Sequence, residues 1–392
     1  MYRTLWLLGI SVLALLALGL LVLASASGEN GTRLFNDNYH FLWNQGKWLV
    51  LAVPCMLAAM FFDYHRWRER PWMTIALYLG VLALMAAVFL FPPIKGSRRW
   101  LPLGPVRLQP SEFAKLAAVM AASVFLDRAG WRVSKWTGAA KAFVIVGGLM
   151  GLAVLEPDFG ATFVIGVTAL VLFLVSGMKV VHMIVLGLGG ASVVGVLLSF
   201  NGNRMNRILS WVKDTFLHSA AQGAAVMSDK EKAAAEQVNA ALVAIRNGGV
   251  TGVGFNKSSQ KLYYLPEAHT DFIFAIGAEE LGLVFSLVLL ALYVTFFVCG
   301  IIIAARSPDR LGRLLAYGMS FLLFFQVLFN IGVVTKCLPT KGIALPFVSY
   351  GGTNLLTALV AVGMLFNVGR QIERQRPRPR SALSPVFEES DA

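Results

Sequence analysis

Charge is what this sequence has least of. Asp, Glu, Lys and Arg make up 14% of its 392 residues, against about a quarter in a soluble domain. So few charges cannot cover a water-facing surface, and the 57% apolar content argues equally against a disordered chain. Cysteine is also scarce. Cys55, Cys299 and Cys337 are odd in number and far apart, which gives neither a disulfide framework nor a metal cluster. There is no Walker A loop, no G-x-S-x-G elbow and no zinc-ligand spacing. No repeat recurs at a period of about 20–50 residues. Basic residues exceed acidic ones to a net +13, but no surface interleaves them with aromatics, so nucleic acid is not expected as a partner.

What the sequence does have is apolar blocks of roughly 18–25 residues, long enough to cross ~30 Å of hydrocarbon. Ten fall near 4–25, 46–62, 73–91, 110–126, 138–155, 159–177, 180–200, 272–304, 312–335 and 352–369. The expected fold class is all-α: a polytopic membrane protein with about ten transmembrane helices and one large extracytoplasmic loop. The first block is too long for a signal-peptide core and reads as a retained helix. The fourth is short and carries Glu112 and Lys115, and the eighth is long enough to tilt or break. Residues 1–369 form the membrane domain, including the loop at 201–271, and 370–392 read as a disordered tail.

Ten spans place both termini on one side. With the termini inside, the cytoplasmic pieces hold 16 Lys and Arg and the short outer loops hold 8, so the positive-inside rule puts both termini in the cytoplasm. Four of those outer cations, Lys95, Arg98, Arg99 and Arg107, lie together. A cationic cluster that opposes the topological bias is a candidate anion site.

Four motifs can carry chemistry. In KGSRRWLPLGPVRLQPSEFAK, residues 95–115, the guanidinium groups suit phosphate oxygens. Trp100 suits the headgroup level. Glu112 and Lys115 share a helix face and are placed to pair. The same segment also reads as an interfacial Trp/Arg anchor. In LEPDFGAT, residues 155–162, Asp158 either caps the next helix or contacts a metal or a sugar. In QKLYYLPEAHTDFIFAIGAEELG, residues 260–282, Gln260, Lys261, Glu267, His269, Thr270 and Asp271 precede a long apolar helix that contains Glu279 and Glu280. Asp271 at the water boundary can stay ionised yet partly desolvated, as a general base must. The alternative is that Thr270 and Asp271 cap that helix. In LPTKGIALPFVSYGGTN, residues 338–354, prolines and a Gly pair break the backbone around Lys341 and Ser349, which is tolerated at membrane depth only inside protein or beside a cavity.

These motifs, in this order and over nearly the whole chain, resemble the SEDS family (shape, elongation, division and sporulation) of FtsW and RodA. PEAHTDFIF and LPTKG–LPFVSYGG carry the resemblance most specifically, and PEAH with LPTKG is more similar to the division branch, FtsW, than to the elongation branch, RodA. The resemblance implies a peptidoglycan glycosyltransferase that polymerises lipid II in the bacterial cytoplasmic membrane at the division septum. Asp271 stands at the family's essential aspartate. Trp100 and its basic neighbours match KGxxRW, Glu112 and Lys115 match PSExxK, and Asp158 matches PDxG. The implied partners are a class B penicillin-binding protein transpeptidase and other division-machinery membrane proteins. The implied transfer is inverting, with Asp271 as base and Arg98, Arg99, Arg107, Lys115 and Lys341 as candidates to stabilise the leaving pyrophosphate. The sequence establishes no cofactor; a divalent cation (Mg or Mn) near Asp158 or Glu156 is an open candidate to assist. The rival class is a lipid II flippase, since ten helices, broken segments and intramembrane charges are also transporter features. The chain departs from the family pattern at Ala240, at Phe255-Asn256 and at Thr353-Asn354, which replaces a Ser pair.

Overall fold

The computed structural model describes residues 1–92, 98–104, 106–156, 158–199, 229–263, 265, 268–338 and 342–375. Its long helices are α1 (Tyr2–Phe35), α2 (His40–Phe61), α3 (Pro71–Ala87), α4 (Pro110–Ala129), α5 (Trp136–Leu155), α6 (Phe159–Val175), α7 (Val180–Ser199), α8 (Asp229–Gly248), α9 (Ile273–Arg306), α10 (Arg310–Val334) and α11 (Gly352–Arg374). All but α8 coincide with the ten apolar blocks. Six are long and apolar enough to span a bilayer by length and composition alone.

The other spans are shorter or more polar for a physical reason. α4 carries an ion pair and many alanines, and 14 of its 20 residues are buried. It sits among α3, α5, α6 and α10, so protein rather than lipid surrounds it. Small side chains let its neighbours approach closely. Large apolar side chains on α1, α3, α5, α7 and α9 are exposed, as lipid-facing surfaces are.

Met1 and the last turn of α11 lie at one end of the bundle. The Met1 ammonium is 3.8 Å from Glu373 near the end of α11. At that end Asp309 caps α10 through the Gly312 amide at 2.8 Å and accepts the Tyr64 hydroxyl at 2.5 Å. The opposite end carries the motifs. There, residues 98–109 contain a two-stranded antiparallel hairpin, β1 (Leu101–Leu103) and β2 (Val106–Leu108), with Pro102 opposite Arg107. This hairpin is a small departure from the all-helical expectation. Three residues per strand, LPL and VRL, are a pattern too short to stand out.

The long eighth span does break. Gly282 has φ 71° and ψ −164° inside α9. A side chain there would strike the backbone of Val250 and Gly252. The broken turn is completed from the loop after α8. Gly254 donates to the Glu280 carbonyl at 3.0 Å, Val253 to Glu279 at 3.0 Å, and Leu283 to Gly249 at 3.0 Å. Backbone groups freed from the helix ladder are thus satisfied by protein, as the membrane level demands. Gly282→Ala combines a left-handed backbone with a backbone clash. It is expected to lower the thermal midpoint in detergent by more than any exposed α9 Leu→Ala change, measured by scanning fluorimetry.

Candidate active site

The segment between α10 and α11 is irregular backbone held inside the protein, and side chains supply its hydrogen bonds. Asn330 donates to the Ile343 carbonyl at 2.7 Å and to the Asp271 carbonyl at 2.8 Å. The Ser349 hydroxyl donates to the Thr270 carbonyl at 2.5 Å and accepts the Leu345 amide at 2.8 Å. Tyr293 donates to the Pro346 carbonyl at 2.5 Å, and Gln45 brackets the Ser349 carbonyl and the Gly351 amide. Phe347 takes a positive φ of 69° to make the turn. The result is a fixed wall against which the His269–Asp271 turn rests.

Asp271 is half-buried at that wall, one residue before Phe272, the N-cap of α9. Neither Thr270 nor Asp271 therefore occupies the capping position. The Asp271 carboxylate lies directly over the Cα of Gly342, where a Cβ would overlap it. His269 sits in an aromatic cluster with Phe41 (4.6 Å between centroids) and Tyr350 (5.7 Å), and its carbonyl accepts the Tyr350 amide at 2.9 Å. Arg107 of the hairpin reaches this cluster closely enough to act electrostatically on Tyr350.

A second carboxylate stands across the same wall. Ile343 packs on Gly160 in the first turn of α6, and Asp158 is the N-cap of that helix, accepting the Ala161 amide at 3.2 Å. Its other oxygen accepts Ser111 at 2.7 Å and Gln109 at 2.9 Å. Burial raises its pKa, but the Arg99 charge, the Ser111 hydroxyl and the Ala161 amide outweigh burial and hold it below the usual carboxylate range. Glu156, two residues earlier, behaves oppositely. It is fully buried and neither oxygen has a hydrogen-bond partner among the described residues. Burial and the neighbouring Asp158 push it up to about 8 against the pull of Arg99. Gly342 and Ile343 therefore run between Asp271 and the Asp158–Glu156 turn, with Arg99 and Arg107 on the hairpin side. Among the described residues no three His, Cys, Asp or Glu side chains converge as a metal site. A cation held by Glu156 and Asp158 would complete its shell with water or phosphate oxygens.

The pKa of Glu156 has a stability consequence. Its folded-state pKa lies above its ordinary 4.5, so the native state holds a proton that the unfolded state releases. Stability is expected to fall as pH rises from about 4.5 to about 8. Glu156→Gln should flatten that slope in a series of thermal melts. An unchanged slope would remove Glu156 as its source.

Several residues singled out from the sequence support the site from inside the protein. Lys115 is buried and bonds Glu112 at 2.8 Å and Gln326 at 2.7 Å, while Asn354 donates to Glu112 at 2.9 Å and to Gln326 at 3.2 Å. This closed network ties α4 to α10 and α11, and it occupies the charge that sequence reading offered to a phosphate. Lys261 is likewise committed, bonding Glu280 at 2.8 Å, Ser25 at 2.8 Å and Asn256 at 2.6 Å. Glu279 accepts Ser258 and Ser259. Ser349 is spent on the turn. Gln260 is half-exposed at the start of the short helix Gln260–Tyr263. Arg98 and Arg107 are exposed, and Arg99 and Trp100 half-buried. Lys95, Glu267 and Lys341 lie outside the described residues. Gln326, Asn330 and Asn354 were missed, although Gln326 and Asn330 are four apart on one face of an apolar helix, a signal available in the sequence.

The family model described as cell cycle protein, covering FtsW, RodA and SpoVE, matches residues 5–374. The chain is 34% identical to the probable peptidoglycan glycosyltransferase FtsW of Geobacter metallireducens, over 92% of this chain and 93% of that one. Among solved structures it is similar to a chain of a peptidoglycan synthase complex that coordinates polymerization and crosslinking (TM-score 0.72, 26% identity, 94% of this chain and 98% of that one). It is also similar to the rod shape determining protein RodA of Thermus thermophilus (TM-score 0.67, 27% identity, 93% and 96%).

Proposed function

The chain belongs to the cell cycle protein family of FtsW, RodA and SpoVE, and on that premise we propose that the Asp271 cluster is where it polymerises lipid II. The protein is a membrane-embedded peptidoglycan glycosyltransferase. The finer reading is septal synthesis in the bacterial cytoplasmic membrane, with the tail in the cytoplasm and Asp271 on the outer face.

The reaction joins the anomeric carbon of one lipid-linked sugar to the 4-hydroxyl of another and releases undecaprenyl pyrophosphate. Pyrophosphate leaves without a dedicated acid, so the protein must supply a base and positive charge. Asp271 is the base. It takes the hydroxyl proton as the new glycosidic bond forms and the bond to pyrophosphate breaks. Arg98, Arg99 and Arg107 face the leaving oxygens. Asp158 attracts Arg99 electrostatically and stays ionised while doing so. Glu112, Lys115 and Lys261 keep the surrounding helices in register. Isoprenoid tails remain in the bilayer, so both substrates arrive laterally.

The observation that carries this reading is the seating of Asp271 on Gly342, at the edge of a turn tied down by Asn330, Ser349, Tyr293 and Gln45. Preorganisation of that kind suits a group that must meet a hydroxyl at one angle. The partner is a class B penicillin-binding protein transpeptidase, a reading supported by the similarity to a chain of a complex that couples polymerization to crosslinking. Purified protein with labelled lipid II, with and without that transpeptidase, should yield glycan strands. Absence of strands under both conditions, together with lipid II translocation in vesicles, would favour the flippase.

A further inference from the structure

The end of the bundle that carries the termini holds a second cationic site, remote from Asp271. Between the last turn of α4 and the first turns of α5 lies a cavity of about 330 Å³, lined by Phe125, Arg128, Arg132, Thr137 and Lys141 among others. Three cations and a hydroxyl line it, and no acid does. Asp127, next to Arg128 in sequence, is already 3.4 Å from Arg68. Arg128 donates to the Arg68 carbonyl, a neutral acceptor, and shares the Asp127 carboxylate electrostatically with Arg68 and Arg310. Arg132 and Lys141 are exposed, and neither forms an ion pair among the described residues.

Three features point to what fits. Lys141 stands more than a turn inside the apolar helix α5, where an uncompensated ammonium is expensive unless it snorkels to an anionic surface. Trp131 and Trp136 flank the pocket and are exposed, with the Lys135 ammonium 4.4 Å above the Trp131 ring. Such a pair marks the headgroup level. The α5 N-terminus opens at the pocket, and Gly138 packs on the Arg132 carbonyl so tightly that a side chain would not fit. Thr137 and Gly138 of that first turn line the pocket, so the positive end of the α5 dipole faces it and favours an anion.

We propose that this pocket binds the phosphodiester headgroup of an anionic membrane phospholipid in the leaflet on the terminus side. The shared chemistry is a phosphate anion. Phe125 in the lining and the exposed indoles favour a lipid, because a free phosphate would leave that apolar surface uncovered. The site is distinct from the polymerisation site, which lies at the other end of α4.

The test uses full-length protein in nanodiscs of phosphatidylcholine, alone or mixed with phosphatidylglycerol. Native mass spectrometry counts retained lipid, and scanning fluorimetry follows unfolding. Wild type is expected to retain phosphatidylglycerol preferentially and to melt higher in its presence. Arg132→Gln/Lys141→Gln should lose retention by about fivefold per cation removed, with its midpoint in pure phosphatidylcholine unchanged. If the double variant fails to fold, Lys141→Gln alone serves, since that side chain is exposed on a preserved helix. Equal retention of the two lipids by wild type, or undiminished phosphatidylglycerol retention by the variant, would overturn the proposal. Inorganic phosphate in the phosphatidylcholine discs is expected to leave the midpoint in place. A rise matching that given by phosphatidylglycerol would overturn the lipid assignment in favour of a simple phosphate site.

Discussion

Asp271→Asn is expected to abolish strand formation while leaving the fold intact. The substitution keeps the side chain's shape and its seat on Gly342 but removes the negative charge proposed to accept the hydroxyl proton. General-base catalysis contributes about 10²–10⁴ in rate, so polymerisation should drop by that factor in a gel assay of labelled lipid II. The thermal midpoint should move little, because Asp271 is half-buried and the turn is held by the Asn330 and Ser349 bonds to backbone carbonyls. Gly342→Ala gives an independent check on position. Its methyl would occupy the place of the Asp271 carboxylate. A terminal carboxylate can rotate away at small cost, so activity should fall sharply with little loss of stability. Wild-type polymerisation by both variants would show that the base lies elsewhere, with Asp158 the next group to test.

The second large effect is on folding. Lys261 and Glu280 are both buried and 2.8 Å apart, and Ser25 of α1 bonds to each. This triad pins the end of the large loop to α9 just before its break and to the upper part of α1. Removing one partner leaves an uncompensated charge in a dry environment, which costs about 3–5 kcal/mol. Lys261→Met alone should therefore lower the midpoint strongly and release the loop to proteolysis. Lys261→Met combined with Glu280→Gln should recover much of the loss, since no bare charge remains. Equal destabilisation by the single and double variants would mean that the ion pair is not the source. Glu279 is a built-in control, since it is held by Ser258 and Ser259 rather than by the lysine.

Helix positions were legible because the bilayer imposes length and apolarity on each span. Even the unusual α4 was visible, as a short block interrupted by Glu112 and Lys115. Its central location follows from the same feature, since a charged pair requires protein around it. The break in the eighth span was readable as excess length, but its place at Gly282 was not. That residue's conformation is dictated by loop backbone from Gly249 to Gly254, about 30 residues earlier in sequence and far beyond the three- or four-residue reach of a helical contact. Asp271, Asp158 and the hairpin arginines were visible as polar residues gathered toward one face. Which charges are open to substrate and which are consumed was not visible. Lys115 and Lys261 look in sequence like Arg98 and Arg107, and only the packing of α4 against α10 and α11, and of the loop against α1, separates them. Gln45, Asn330 and Tyr293 act through backbone carbonyls of a turn that no periodicity announces.

The most direct test confines substrate to one leaflet. Wild-type protein is reconstituted in vesicles sorted so that a C-terminal tag is protected inside, which leaves Asp271 facing out. Labelled lipid II inserted from outside is predicted to be polymerised, and lipid II confined to the inner leaflet is predicted to stay monomeric. Strands formed equally well from inner-leaflet lipid would contradict polymerisation by an outward-facing Asp271 site.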